Sequence, residues 1–86
     1  MSRRSSGREA YDYSTRICGR LPHRLQSERE ARGLSKYALG RDSGVSREMI
    51  ACIEGGRSIP TLFVAARLAH GMGMTLEELI GMLEDG

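Results

Sequence analysis

The chain has 86 residues, 40% of them apolar, with one Phe, three Tyr and no Trp. That leaves room for one small domain with an aliphatic core, burying about 60% of its unfolded surface, and it is too apolar for a disordered chain. The formal charge of +2 hides a gradient: residues 1–32 carry a net +4, residues 33–60 a net +1 and residues 61–86 a net −3. A basic front and an acidic end suggest a polyanion as partner of the front. The longest apolar run, Leu62 to Ala66, is far shorter than the ~20 residues of a membrane span. No apolar stretch follows the basic N-terminus, so no secretory signal is expected and the protein is expected in the cytoplasm. Cys18 and Cys52 then read as reduced thiols. With His23 and His70 they lack zinc-finger spacing, so no metal site and no cofactor are expected.

Residues 1–20, rich in Ser, Arg and Gly, read as a basic, partly disordered arm, and residues 21–86 as the folded domain. Tyr11, Tyr13 and Ile17 could dock the later part of the arm. A helical pattern starts at Leu21, with Pro22 suited to the first turn. Leu21, Leu25, Ala31 and the stem of Arg29 form its apolar stripe, and Gly33 caps its end. Ser35 caps a second helix, Lys36 to Ser43, with Leu39 inward. Gly44-Val45-Ser46 is a turn plus a new cap, opening a third helix from about Arg47 to Glu54. Met49, Ile50 and Ile53 make its inner face, and Gly55-Gly56 ends it. Thr61 caps a fourth helix, running to about His70 and closed by Gly71. Thr75 caps a fifth, with Glu78 completing a capping box and Leu76, Leu79, Ile80 and Leu83 as its buried stripe. No alternating run supports a strand, so the fold is all-α with five helices.

The second and third helices form a helix-turn-helix candidate. Their close crossing needs a minimal side chain, which Gly40 supplies, and the turn needs a residue at ease with positive φ, which Gly44 supplies. Val45, Ile50 and Ile53 pin the third helix to the core. Arg47, Glu48, Ala51 and Cys52 are left on the opposite face, as insertion into a major groove requires.

At these residues the chain resembles the phage repressor and Cro-like helix-turn-helix proteins, the XRE family. The resemblance spans Leu21 to Ile80. It rests on Arg29-x-x-x-Gly33-Leu34-Ser35, on Gly44-Val45-Ser46-Arg47-x-x-Ile50-x-x-Ile53-Glu54-x-Gly56-Arg57 and on Pro60-Thr61-Leu62. Leu68-Ala69 and Thr75-Leu76-x-x-Leu79 fit the family's last two helices. It implies a five-helix lambda-repressor-like domain that dimerises on a roughly palindromic DNA site, and a salt bridge between Arg29 and Glu54. Lys36 stands where the family commonly has Gln, Gly40 where it has Ala, and Ser43 where an apolar residue is common. These departures imply a less rigid second helix.

Arg47 can pair with guanine O6 and N7 or grip a phosphate. Glu48 can accept from cytosine N4 or simply complement the helix N-terminus, and the two readings weigh equally. Ala51 can meet a thymine methyl. Cys52 stands at a family reading position, where a small residue also just avoids a clash. The chain has no Asn, and its only Gln is Gln26. Bidentate adenine readout by the third helix is therefore excluded, and DNA shape must carry more of the specificity. Phosphate candidates are Ser35, Lys36, Ser46, Arg57 and Ser58, with Arg41 as a further one. Arg3, Arg4 and Arg8 make the arm either a strap on the DNA or a plain tail.

Phe63, Val64, Met72, Met74, Met82 and Leu83 either offer a second apolar surface, for a dimer or for the docked arm, or simply pack in the core. Asp42-Ser43-Gly44 has no partnered His, and Gly71-Met72-Gly73 has no preceding strand, so nothing points to an enzyme. The expected function is a sequence-specific regulator of transcription, a repressor that binds double-stranded DNA as a homodimer. The rival is an antitoxin-like or adaptor domain whose main partner is another protein.

Overall fold

Five helices follow one another in the computed structural model, which describes residues 6–84: α1 Gly7–Ala31, α2 Lys36–Ser43, α3 Arg47–Glu54, α4 Leu62–Gly71 and α5 Leu76–Glu84. No strand occurs among the described residues. The expected arm residues Met1 to Ser5, with Arg3 and Arg4, lie outside them.

The start of α1 corrects the sequence reading. The helix begins at Gly7, not at Leu21, and the boundary expected after residue 20 falls inside it. Ser6 and Glu9 form a reciprocal capping box: the Glu9 N–H donates to Ser6 Oγ at 3.1 Å and the Ser6 N–H to Glu9 Oε1 at 2.9 Å. Two of the helix's orphan donors are thereby satisfied, and the turns before Pro22 gain further support from Ile17 packed against the core and Leu21 buried in it. Pro22 lies in the interior instead and offers no N–H to the carbonyl of Cys18. Leu21, Leu25 and Arg29 are buried as expected, whereas Ala31 is exposed.

α2 and α3 occupy the residues their caps predict. Ser35 Oγ accepts from the Ala38 N–H at 3.0 Å and Ser46 Oγ from the Met49 N–H at 3.1 Å. α4 runs one residue further than its pattern implies, and the left-handed residue that follows it is Gly73 (φ 76°), not Gly71. The reason lies in packing: a Cβ on Gly71 would come within 2.9 Å of Ser43 Cβ, so this glycine admits α2 rather than ending α4. Thr75 and Glu78 form the capping box of α5, with bonds of 2.8 and 3.0 Å.

α1 packs on α3 and α5, α2 on α3 and α4, and α4 on α5. Their shared interior is aliphatic, with Leu25, Leu39, Ile50, Ile53, Leu68 and Leu79 almost completely buried. Met72, Met74 and Leu83 belong to this core, so most of the expected second apolar surface does not exist. Phe63 remains exposed. Ile80 is also exposed rather than part of the α5 stripe, and Leu76 only half-buried.

Candidate nucleic-acid interface

The geometry of the α2–α3 pair starts with two glycines. Gly40 lies so close to the turn that a Cβ there would sit 2.8 Å from the Val45 carbonyl oxygen. Gly44 takes φ 75° and its N–H donates to the Gly40 carbonyl at 2.8 Å, ending α2 and redirecting the chain. Ser43, which stands where apolar residues are common in the family it resembles, is buried and fully used. Its Oγ accepts the Val45 N–H at 3.1 Å, and its carbonyl accepts from Arg67 Nε at 3.0 Å. A buried hydroxyl with a partner is no liability.

Arg67 was not legible as part of this site. It reaches from α4 to the last carbonyl of α2, and its guanidinium stacks 5.4 Å from the centre of the Phe63 ring. The Phe63-x-x-x-Arg67 spacing on one helix face is the only local signal for it, and an i,i+4 pair does not reveal a target on another helix.

α3 turns Ile50 and Ile53 into the core, both completely buried. Arg47 and Glu48 are exposed, and Ala51 and Cys52 are half-buried on the outward side. Met49, expected inward, is 39% exposed, and Ser58 Oγ lies 3.8 Å from its sulfur. Arg57 folds back along the end of α3, with Nη2 3.8 Å from Cys52 Sγ. The structure thus brings Arg57 and Ser58 to the C-terminal end of α3. Ser35 and Lys36 stand at the N-terminus of α2, and Ser46 at that of α3. Both serine hydroxyls accept a cap bond and keep their O–H as a donor.

Between α2 and the start of α3 runs an open groove of about 560 Å³. Tyr37, Arg41, Ser46, Arg47 and Glu48 line it. Tyr37, an exposed aromatic beside Lys36, was missed in the sequence because its neighbours across the groove come from the next helix. The Arg41 Nε–H donates to Asp42 Oδ1 at 3.0 Å, and this bond raises the guanidinium pKa above its ordinary value.

Behind α3, Arg29 holds the helix end. Nε donates to Glu54 Oε2 at 2.7 Å, Nη2 to Oε1 at 2.9 Å and Nη1 to the Leu34 carbonyl at 2.8 Å. Both side chains are under one-tenth exposed. The paired hydrogen bond to Glu54 raises the Arg29 pKa, against the opposing effect of burial. This fork ties α1, the loop before α2 and the last residue of α3 into one frame. No group of three or more His, Cys, Asp or Glu that could hold a metal occurs among the described residues.

Comparison with known proteins agrees with this architecture. A family model described as a helix-turn-helix domain matches residues 20–79. The chain is 33% identical over 63 residues to an uncharacterised HTH-type transcriptional regulator of Methanothermobacter thermautotrophicus, covering 72% of this chain and 91% of that protein. It is 28% identical over 65 residues to the uncharacterised HTH-type transcriptional regulator YgzD of Bacillus subtilis, covering 76% of this chain and 98% of that protein. No solved structure matches at comparable significance. With the turn glycines, the capped α2 and α3 and the outward face of α3 in place, the chain belongs to the helix-turn-helix domain family.

Proposed function

We propose that this protein is a sequence-specific regulator of transcription of the phage repressor and Cro-like type, a cytoplasmic repressor that binds double-stranded DNA as a homodimer. The observation that carries this reading is α3 itself. Its inward residues are completely buried and its end is clamped by Arg29, while Arg47, Glu48, Ala51 and Cys52 have no core role. A rigid helix with one uncommitted face is what a major groove accepts. The names of YgzD and of the Methanothermobacter thermautotrophicus regulator support the transcription-regulator part of this reading.

In the proposed complex, Arg47 and Glu48 reach base edges first, because they open α3, and Ala51 and Cys52 follow one turn later. Arg57 and Ser58 at one end of α3, and Ser35, Lys36 and Ser46 at the other, hold phosphates and fix the register. Two copies would set their α3 helices about 34 Å apart in successive major grooves.

The test is selection of bound duplexes from a random pool, followed by a salt series on the selected site. Affinity should fall linearly with log salt, with a slope near −0.9 per phosphate neutralised. Arg47→Ala should weaken the selected site by about 5- to 100-fold and relax preference at one position in each half-site. Failure to select any duplex, or an unchanged preference in Arg47→Ala, overturns the reading and favours a protein partner.

A further inference from the structure

We propose that the homodimer forms through the N-terminal half of α1, which seats against the loop between α3 and α4 of a second copy. The inference rests on the homodimer reading above and adds where the partner binds.

Helix α1 has 25 residues, a length of about 37 Å, close to the 42 Å long axis of the molecule, whose other extents are 25 and 21 Å. Its first turns therefore project from the bundle, and residues 7–16 are all exposed. A helical stretch that short has little stability of its own in water. Two contacts tether the later turns to the end of α5: the Tyr13 hydroxyl donates to Glu84, and Arg20 Nη1 donates to the Leu83 carbonyl at 2.6 Å.

The projecting helix is apolar where it faces the α3–α4 loop. Grooves of about 500 and 480 Å³ open on the two sides of the seam, and Cys18, Leu21, Ile59 and Pro60 line both of them. Tyr11 (71% exposed), Ile59 (71%) and Leu62 (70%) dominate the rims, with Tyr13 and Ile80 each over 40%. Scaled from typical full side-chain areas, these groups present on the order of 600 Å² of bare surface. That reaches the top of the ~300–600 Å² patch a monomer usually leaves open, and approaches the ~800 Å² each partner contributes to a stable interface.

Three features select a second copy as the occupant. The patch contains both a ridge, α1, and a groove beside it, the self-complementary pair that a two-fold interface needs. Its charges match in part: Glu77 and Glu84 edge the larger groove, while the α1 face that holds Arg8, Asp12 and Arg16 carries a net positive charge, so that face laid into the partner's groove meets opposite charge. Finally, the smaller groove reaches the end of α3 at Ile53 and Gly56. Joining two copies there fixes the spacing of the two reading helices directly.

The two native cysteines allow both surfaces to be followed in the full-length protein. Cys18 lies in the seam and Cys52 on the outward face of α3. Sedimentation should show a wild-type dimer, and Ile59→Glu combined with Leu62→Glu should give a monomer with unchanged helical circular dichroism. Alkylation of wild-type Cys18 should slow at least tenfold between dilute and concentrated protein, and recover in the double variant. Cys52 should be protected only by selected DNA. A dimer that survives the substitutions, or Cys18 reactivity indifferent to concentration, overturns this interface and leaves a homodimer built elsewhere. A wild-type monomer at all concentrations overturns both the interface and the homodimer, whereas Cys52 reports on DNA binding separately.

Discussion

Glu54→Ala removes the carboxylate that Arg29 grips and leaves a guanidinium, under one-tenth exposed, with the Leu34 carbonyl at 2.8 Å and the exposed Glu30 carboxylate at 3.9 Å as its remaining partners. Breaking a buried pair from one side costs about 3–5 kcal/mol, because the remaining charge stays desolvated. A chain of this length has roughly 4–13 kcal/mol of total stability, so the variant loses a large fraction of it. With about 4–8 °C per kcal/mol for a domain of this size, the melting temperature should fall by about 12–40 °C. Exchanging both partners for apolar groups, Arg29→Met with Glu54→Leu, removes the stranded charge. That pair should recover to within about 2 kcal/mol of wild type, the residue being the unpaired Leu34 carbonyl and imperfect packing. Urea titration followed by far-ultraviolet circular dichroism measures all four corners of the cycle. A loss below about 1 kcal/mol in Glu54→Ala, or a double variant no better than the single one, would show that the fork is not a buried lock.

Three further outcomes follow from other elements. Gly40→Ala should gain about 1 kcal/mol in helix propensity but force a methyl against the Val45 carbonyl oxygen, 2.8 Å away. Overpacking against backbone costs about 1–3 kcal/mol, so urea melts should show net destabilisation, and a more stable variant would mean that α2 and α3 separate easily. Ser46→Ala deletes the cap of α3 and should cost about 1 kcal/mol; an unchanged urea midpoint would contradict it. Tyr13 has its pKa raised above the ordinary phenol value, chiefly by the hydrogen bond to Glu84. Its protonated form is therefore favoured in the folded state, and its stabilising contribution is present below pH ~10 and lost as pH rises through the raised pKa. The phenolate absorbance of wild type minus Tyr13→Phe should titrate above pH ~10, and in Glu84→Ala should shift back toward it; a midpoint at or below that value would refute the contact.

The reading head was the most legible part of the chain, because short-range chemistry builds it. Ser35 and Ser46 mark two helix starts, Gly44 marks the turn between them, and Ile50 and Ile53 mark the buried side of α3. The start of α1 is carried by the Ser6-x-x-Glu9 signal, but the local preference of Pro22 for a first turn points to a later start, and what keeps Pro22 interior is the packing of Ile17 and Leu21, which no local pattern reveals. Met49 has the periodicity of an inner residue, but α3 is only two turns long and its neighbour Ser58 arrives from the following loop. The role of Arg67 depends on a residue 24 positions away. Helical spacing does not encode contacts of that range, and the same limit hid the approach of Gly71 to Ser43.

Pro22 interrupts the hydrogen-bond ladder of α1 between a lightly held first part and a deeply buried second part. The turns before it are tethered to the bundle by Tyr13, Ile17, Arg20 and, in the last of them, the buried Leu21, whereas those after it bury Leu25 and the clamp of Arg29. Amides before Pro22 should exchange with solvent through local fraying, and those from Leu25 onward only when the whole domain unfolds. That pattern would make one continuous helix two cooperative units, the first free to melt and reform while the frame behind α3 stays intact.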